Sequence, residues 1–599
     1  MKIIEFFKNR LRGLTDAISR YPLTTAFLII AVIINAIDIN NEKDFSKALL
    51  TLAVGAFLSA VSQVVYERFF SKTSIRFGLM IFVIVLTAGY YLIILPASTL
   101  SMEIMIRTSV ALFALLFAFI WVPVIKSEIR FNNSFMIAFK AFFNTLLFSV
   151  VIYGGVALII SAIDLLIFSV DYKVYSHAGN IIFILFAPMY FLSLIPIYPG
   201  ESNRDPEETK RQSEVVLKAA ECPKFFELLI SYIIIPLIAV FTIILLVYII
   251  KNIGGEFWSD NLLEPLIVSY SIFVIVLYLL ASELENRFTV LFRKILPKVL
   301  VPIVVFQIIS SLLSLSETGI THTRYYVILY GLFAAVSGIL LSFLPVRKNG
   351  SVAALLIIFS IFSIVPPVDA FSISKSSQIN LVEKVLLENK MIEEDTITPN
   401  SHVSNEDKKK ITNAMSYLNT MDYTKELAWL PKDFDYYEDF SDTFGFMEYY
   451  ESDKLNESVY VSLKPNTSIS ITGYDTFVYS NIYYYSNEPA NKANNEENLV
   501  TFEKGGDRFS LMKVMTENQS LYKVYNEHQE ELIYFDTKVI LDKFHDFPVS
   551  KERLAIEEAT FTADNENASL KVVVQNVNID KMTNNTNYMM DLYIFLKVK

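Results

Sequence analysis

Few side chains in this sequence are polar and also set among long apolar stretches, and those few are where chemistry in an apolar medium would have to occur. Asp164 has apolar residues on both sides and follows Gly154–Gly155; Gln307 lies in the middle of another apolar run. A carboxylate or amide so placed can hold a proton, a cation or a substrate's polar group, because ionisable groups inside hydrocarbon are costly and by default mark function. The plainer reading is that each bonds a neighbouring helix, and that the glycine pair permits close helix packing. A second set falls at the ends of apolar runs: Asp38, Glu264, Glu317, His322 and Arg324. If those ends are neighbours, they form a partly charged mouth. Otherwise each simply rests at the lipid–water boundary.

Signs of other chemistry are weak. The five histidines, His177, His322, His402, His528 and His545, are scattered. No His/Cys cluster has metal-ligand spacing, and no phosphate loop, dinucleotide fingerprint or nucleophile elbow appears. The sequence points to no cofactor, no metal and no catalytic residue.

The elements that must position these groups are plain. Eleven apolar runs fill the first 368 residues: 22–38, 49–66, 77–96, 108–124, 142–168, 180–199, 227–250, 262–282, 299–315, 325–345 and 351–365. About 20 residues of helix cross a hydrocarbon core about 30 Å thick, and only helices satisfy their own backbone there. Lysine and arginine alternate between the connections. One side holds 22, from Lys2, Lys8 and Arg10 at the start to Arg347 and Lys348; the other holds six, Lys43, Lys47, Arg107, Lys173, Lys251 and Arg324. Basic residues stay cytoplasmic in short loops. The N-terminus is therefore expected in the cytoplasm, with an uncleaved first helix, and an odd number of crossings puts residues 369–599 outside.

Composition changes near residue 370. Residues 376–599 hold 38 Asp and Glu against 22 Lys and Arg. So acidic a domain does not suit nucleic acid, whose binding requires cations that neutralise phosphates. The lipid bilayer is one expected partner; divalent cations, cationic peptides, an envelope protein or a neutral glycan suit the exterior domain. The lone cysteine, Cys222, lies in a loop expected to be cytoplasmic, so the exterior domain has no disulfide.

Within the tail, residues 376–391 put Ile379, Val382, Leu386 and Leu387 on one helical face, after a turn at Pro366–Pro367. A second helix is expected from Ser404, an N-cap with Asp407 three residues on. Beyond Trp429 the segments 458–463, 468–472, 476–485, 508–516, 520–525, 531–535, 569–577 and 589–598 read as strands between turn residues. The expected fold is an α-helical polytopic membrane bundle followed by a soluble α+β domain with a mostly antiparallel sheet. Its divisions are 1–368 transmembrane, 369–430 a helical linker, and 431–599 β-rich. Tyr436, Tyr437, Tyr449, Tyr450, Tyr474, Tyr479, Tyr483, Tyr484 and Tyr485 crowd this domain. Alternate tyrosines read first as half-buried sheet residues, and second as a platform for sugars or peptides.

Two stretches, Glu317–Leu332 (ETGITHTRYYVILYGL) and Val365–Ile392 (VPPVDAFSISKSSQINLVEKVLLENKMI), resemble a family of bacterial polytopic membrane proteins known as domain of unknown function 4153. Arg20–Tyr21–Pro22, Gly154–Gly155 and Ala187–Pro196 are similar too. The resemblance, over residues 20–430, implies a helical bundle in a bacterial cell membrane and supplies no activity. The positions Thr323–Arg324–Tyr325 and Asp369–Ser377 suggest a junction beneath the exterior domain, with Arg324 and Asp369 expected to pair. Abundant Lys, Asn, Ile and Tyr hint at a Gram-positive source.

Three functions compete. The first is a non-enzymatic envelope protein, a sensor or assembly factor, displaying an exterior ligand- or partner-binding domain. The second is a transporter or flippase with Asp164 and Gln307 on its path. The third is a lipid-linked glycosyltransferase in which Asp38 is the acidic residue after the first helix; against it, the loop Asp38–Lys47 is short.

Overall fold

The computed structural model describes residues 12–41, 43–97, 99–201, 205–252, 264–393, 396–449, 457–484, 495–515, 520–545, 553–582 and 585–599. Lys2, Lys8, Arg10 and Arg204 of the charge count, and Tyr450 and Tyr485, lie outside these residues. The chain divides into two compact units, Met1–Ile379 and Asn380–Lys599.

Among the described residues, unit one contains eleven helices long and apolar enough to cross a bilayer. They are α1 Pro22–Asn41, α2 Ser46–Phe69, α3 Thr73–Ile94, α4 Met102–Trp121, α5 Phe131–Leu166, α6 Lys173–Ser193, α7 Lys224–Lys251, α8 Glu264–Ala281, α9 Arg287–Leu313, α10 His322–Phe343 and α11 Gly350–Ile364. Polar caps fix several starts: Ser101 accepts from the Ile104 N–H, Asn286 from Thr289 and Thr321 from Arg324. The fifth helix starts eleven residues before the apolar run that announced it. At 36 residues it is about 54 Å long, more than a bilayer needs. Its first turns are packed: Lys140 reaches the carbonyls of Ala219 and Glu221 at the end of the helix Pro206–Ala220.

Outward residues such as Phe77, Ile81, Leu92 and Ile93 of α3 are exposed and apolar, as lipid contact requires. Of these helices α8 and α9 are the most buried, and α9 packs against α10. Close approach depends on glycine there: a Cβ at Gly338 would lie 2.8 Å from Val301 Cγ2 and 3.0 Å from the Pro297 carbonyl. Gly154 and Gly155, by contrast, have open space where a Cβ would stand. The close packing expected of that pair is found at other glycines. Both α6 and α7 contain a π-helical turn, Asn180–Phe186 and Leu229–Ile234. Each is followed two residues later by a proline, whose ring would otherwise press on the carbonyl four residues back.

The helix α12 (Ala370–Glu388) starts six residues before its expected position, because Asp369 caps it. In unit two come α13 (Asn405–Thr420), with Ser404 as N-cap accepting from the Asp407 N–H at 3.2 Å, and α14 (Tyr436–Phe444). Ten strands follow: β1 Glu457–Leu463, β2 Thr476–Tyr484, β3 Asn495–Lys504, β4 Asp507–Met515, β5 Ser520–Tyr525, β6 Glu531–Asp536, β7 Arg553–Leu554, β8 Thr560–Asp564, β9 Ala568–Met582 and β10 Asn585–Val598. The first sheet runs β2–β10–β9–β1–β7, with β8 also on β9; the second is the meander β3–β4–β5–β6. All pairs are antiparallel except β1 with β7. One face of the first sheet (Val459, Val461, Ile482, Val572, Leu592, Ile594) shares a core with Leu511, Tyr522, Val524 and Phe535 of the second and with Ile540 and Phe544 of the helix Lys538–His545.

One expected strand is absent. Residues 468–472 form no ladder, because the left-handed backbone at Asn466 and Gly473 turns the chain on either side of them. Three of these strands were not expected: β3 and β8, in segments too polar to announce themselves, and β7, only two residues long.

Candidate functional site

The two long motifs meet at one end of the bundle. Asp369, fully buried, accepts from the N–H groups of Phe371 (3.0 Å) and Ser372 (3.2 Å) at the start of α12. The same oxygen accepts from Arg107 Nη2 at 2.7 Å. Arg107, in the second turn of α4, also donates to the Ile364 carbonyl at the end of α11 (2.7 Å) and pairs with Glu103 (2.8 Å). Its guanidinium lies 5.2 Å from the centre of the Phe371 ring, and His322 stacks on that ring at 5.6 Å. Tyr325 donates to the Val368 carbonyl at 2.7 Å. Ser377 and Gln378 of α12 bond the Thr318–Ile320 backbone. One carboxylate thus joins α4, α11 and α12, with α10 packed against the same ring.

The expected pairing of Arg324 with Asp369 is not found. Arg324 donates instead to the Ser314 carbonyl and the Thr318 hydroxyl, at the end of α9. The last carbonyls of a helix lack intrahelical donors, so a neighbouring cation is drawn to them. Arg107 was missed as the partner because 262 residues separate it from Asp369. One signal could have found it: it is one of only six basic residues on its side of the charge alternation.

The other candidates are dispersed. Asp164 is exposed and accepts from the Val170 N–H at 2.7 Å, closing the end of α5. Asp38 is half-buried in the last turn of α1, next to Asn40, which bonds Lys173 and His177 at the start of α6. Glu317 is exposed. Gln307 is buried and donates to Ser311 at 3.1 Å; Ser311 donates in turn to Glu264. Gln307 therefore belongs to a polar chain between α8 and α9 that bends toward the helix ends.

The opposite end of the bundle is also tied by arginines. Arg20 makes a two-point pair with Glu67 (2.8 and 2.7 Å) and donates to the Ile195 carbonyl at 2.6 Å. Arg68 spans the carbonyls of Ile125, Lys126 and Pro199. The motif Arg20–Pro22 is thus joined to the end of the motif Ala187–Pro196.

In unit two, the outer face of the first sheet is unusual. Phe477 is 50% exposed, and Tyr479 and Tyr483 nearly match it. Phe477 lies 5.8 Å from Tyr593 and 5.1 Å from Phe595; Tyr479 lies 5.9 Å from Tyr593. Tyr479 donates to Asp591 at 2.8 Å, and Asn576 holds that carboxylate's other oxygen at 2.8 Å. The segment after β1 folds beside these rings and leaves an open concavity of about 440 Å³. Its lining includes Lys464, Asn466, Ile471, Gln575, Phe477 and Tyr593. The tyrosines divide between the two readings. Tyr436 is buried and Tyr484 stacks on Tyr588 at 4.9 Å, whereas Tyr479 and Tyr483 face outward.

Eleven apolar helices with paired polar ends make this a multi-pass membrane protein. The chain belongs to the family described as domain of unknown function (DUF4153), whose pattern matches residues 23–394. The match spans the whole bundle and α12 and ends before the sheets. No curated protein and no solved structure matches the chain.

Proposed function

We propose that this is a non-enzymatic protein of a bacterial cell envelope that holds a recognition domain, residues 380–599, on the side of the membrane away from the cytoplasm. The observation that carries the reading is the joint at Asp369. Arg107 at the start of α4 meets the end of α11, so the chain leaves the bundle at the end of the helices where only six of the counted basic residues lie. Cations are retained in the cytoplasm, so that end is the outer one. In this reading Asp369, Arg107, His322 and Arg324 anchor the exit helix and have no part in catalysis. Alkaline phosphatase fused after Lys599 is expected to be active, and the same enzyme inserted at Ser213 inactive. The reverse pattern contradicts the proposal.

A second reading, a transporter, is favoured by the chain from the buried Gln307 and Ser311 to the half-buried Glu264. It expects solute flux in proteoliposomes that Glu264→Gln abolishes and Asp164→Asn, at an exposed helix end, leaves intact. Flux unaffected by Glu264→Gln would remove it.

A further inference from the structure

We infer that the outer face of the first sheet binds a neutral oligosaccharide, in the concavity between the 464–471 segment and the rings of Phe477 and Tyr593. The inference rests on the reading of unit two as a recognition module and adds the class of its ligand.

Four observations converge on it. The first is composition. The open face of an antiparallel sheet is ordinarily polar, yet Phe477, Tyr479 and Tyr593 form a continuous aromatic strip across β2 and β10, with centroids 5.8 and 5.9 Å apart. An exposed apolar patch of this kind marks a binding surface. The second is shape. A volume of about 440 Å³ falls within the range of small-ligand sites, roughly 300–1,000 Å³. The cleft is open to solvent rather than enclosed, which suits a chain of rings lying across it better than an acyl tail needing enclosure.

The third is the polar complement. Asn466, Thr467 and Gln575 line the cleft beside the rings. An amide offers donors and an acceptor together, which matches sugar hydroxyls, while the ring faces take the C–H face of a pyranose. The fourth is charge. Among the described residues no carboxylate lines the cleft, and the ionised side chain in its lining is Lys464. Residues 376–599 nevertheless carry 38 acidic against 22 basic residues, so the surrounding field disfavours anionic polymers. A peptide added as an extra strand would use an unpaired sheet edge; this cleft lies over the faces of β9 and β10, each paired on both sides, and takes from the edge strand β2 only the ring of Phe477.

The test uses the full chain in phosphatidylcholine nanodiscs, free of sugar-headed detergent, titrated calorimetrically with cellotetraose and with chitotetraose. At least one should bind saturably. Phe477→Ala should weaken that binding about tenfold, about the worth of one aromatic stacking contact. Phe477→Leu, which keeps apolar bulk but not the flat ring, should do the same, and Tyr534→Ala on the second sheet should not. Binding undiminished in both Phe477 variants overturns the site. Failure of both sugars at millimolar concentration overturns the ligand class. A photo-crosslinker at position 477 in intact cells separates the remaining cases. Capture of a protein there, without sugar binding, overturns the saccharide and keeps the recognition module; capture of nothing, without sugar binding, overturns both.

Discussion

Asp369 is the residue on which the outer end of the bundle depends. It caps α12 and holds Arg107 with one oxygen. Removing it strips a cap, costing about 1 kcal/mol, and takes from the partly buried Arg107 one of its two carboxylate partners, Glu103 remaining, so the further loss stays below the roughly 3–5 kcal/mol seen for broken buried pairs. Asp369→Ala and Arg107→Ala are each expected to lower thermal stability in micelles. The double variant should be little worse than Asp369→Ala alone, whereas Arg324→Ala should add independently to Asp369→Ala. Additivity of the Arg107 and Asp369 losses would exclude the pair. Asp369 was legible in the sequence because a carboxylate directly after the last apolar run stands out. Its partner was not, because nothing local in a chain tells which of several distant cations a fold delivers. Asp164 shows the converse. Apolar neighbours made it conspicuous, yet it closes a helix end, a role that depends on where the helix stops.

Helix pairing supplies a prediction at the level of elements. A Cβ at Gly338 meets the Pro297 carbonyl at 3.0 Å, and a backbone atom cannot swing aside. Gly338→Val is expected to separate α9 from α10 and cost about 1–3 kcal/mol. Gly154→Ala, in open space, should be neutral or mildly stabilising, since alanine favours helix by about 1 kcal/mol. Thermal unfolding of the two variants side by side decides it. In unit two, Asp475 is held by Lys504 at 2.9 Å and by the Val598 N–H at 2.7 Å. Partial burial pushes its carboxyl up, but these bonds outweigh it and hold the group below its ordinary range. Its stabilisation is therefore complete above the unfolded value of about 3.9 and is lost as pH falls through the folded value. Asp475→Asn should lower the melting temperature at pH 7 and flatten its decline below about pH 4. The apolar helices were readable because length and hydropathy decide them alone. The strands were read where Val, Ile and Tyr alternate. They were missed at Asn495–Lys504, where Glu and Asn predominate and tertiary pairing overrides local preference.

At the scale of the whole molecule, the claim is that a basic-sided bundle threads the membrane once in each direction in turn and leaves the acidic unit outside. Two ion pairs agree with that alternation. Arg20 at the start of α1 meets Glu67 at the end of α2, and Arg130 before α5 meets Glu283 after α8. The family match covers this bundle and stops at residue 394, so the architecture common to the family is the membrane part. The most direct test compares two single-cysteine chains in intact cells treated with a membrane-impermeant maleimide. One retains Cys222, expected inside; the other carries Cys222→Ser with His528→Cys, at the exposed turn between β5 and β6. Labelling at position 528 without permeabilisation, and at Cys222 only after it, is the expected result. Labelling of Cys222 in intact cells with position 528 protected would contradict the account at its root.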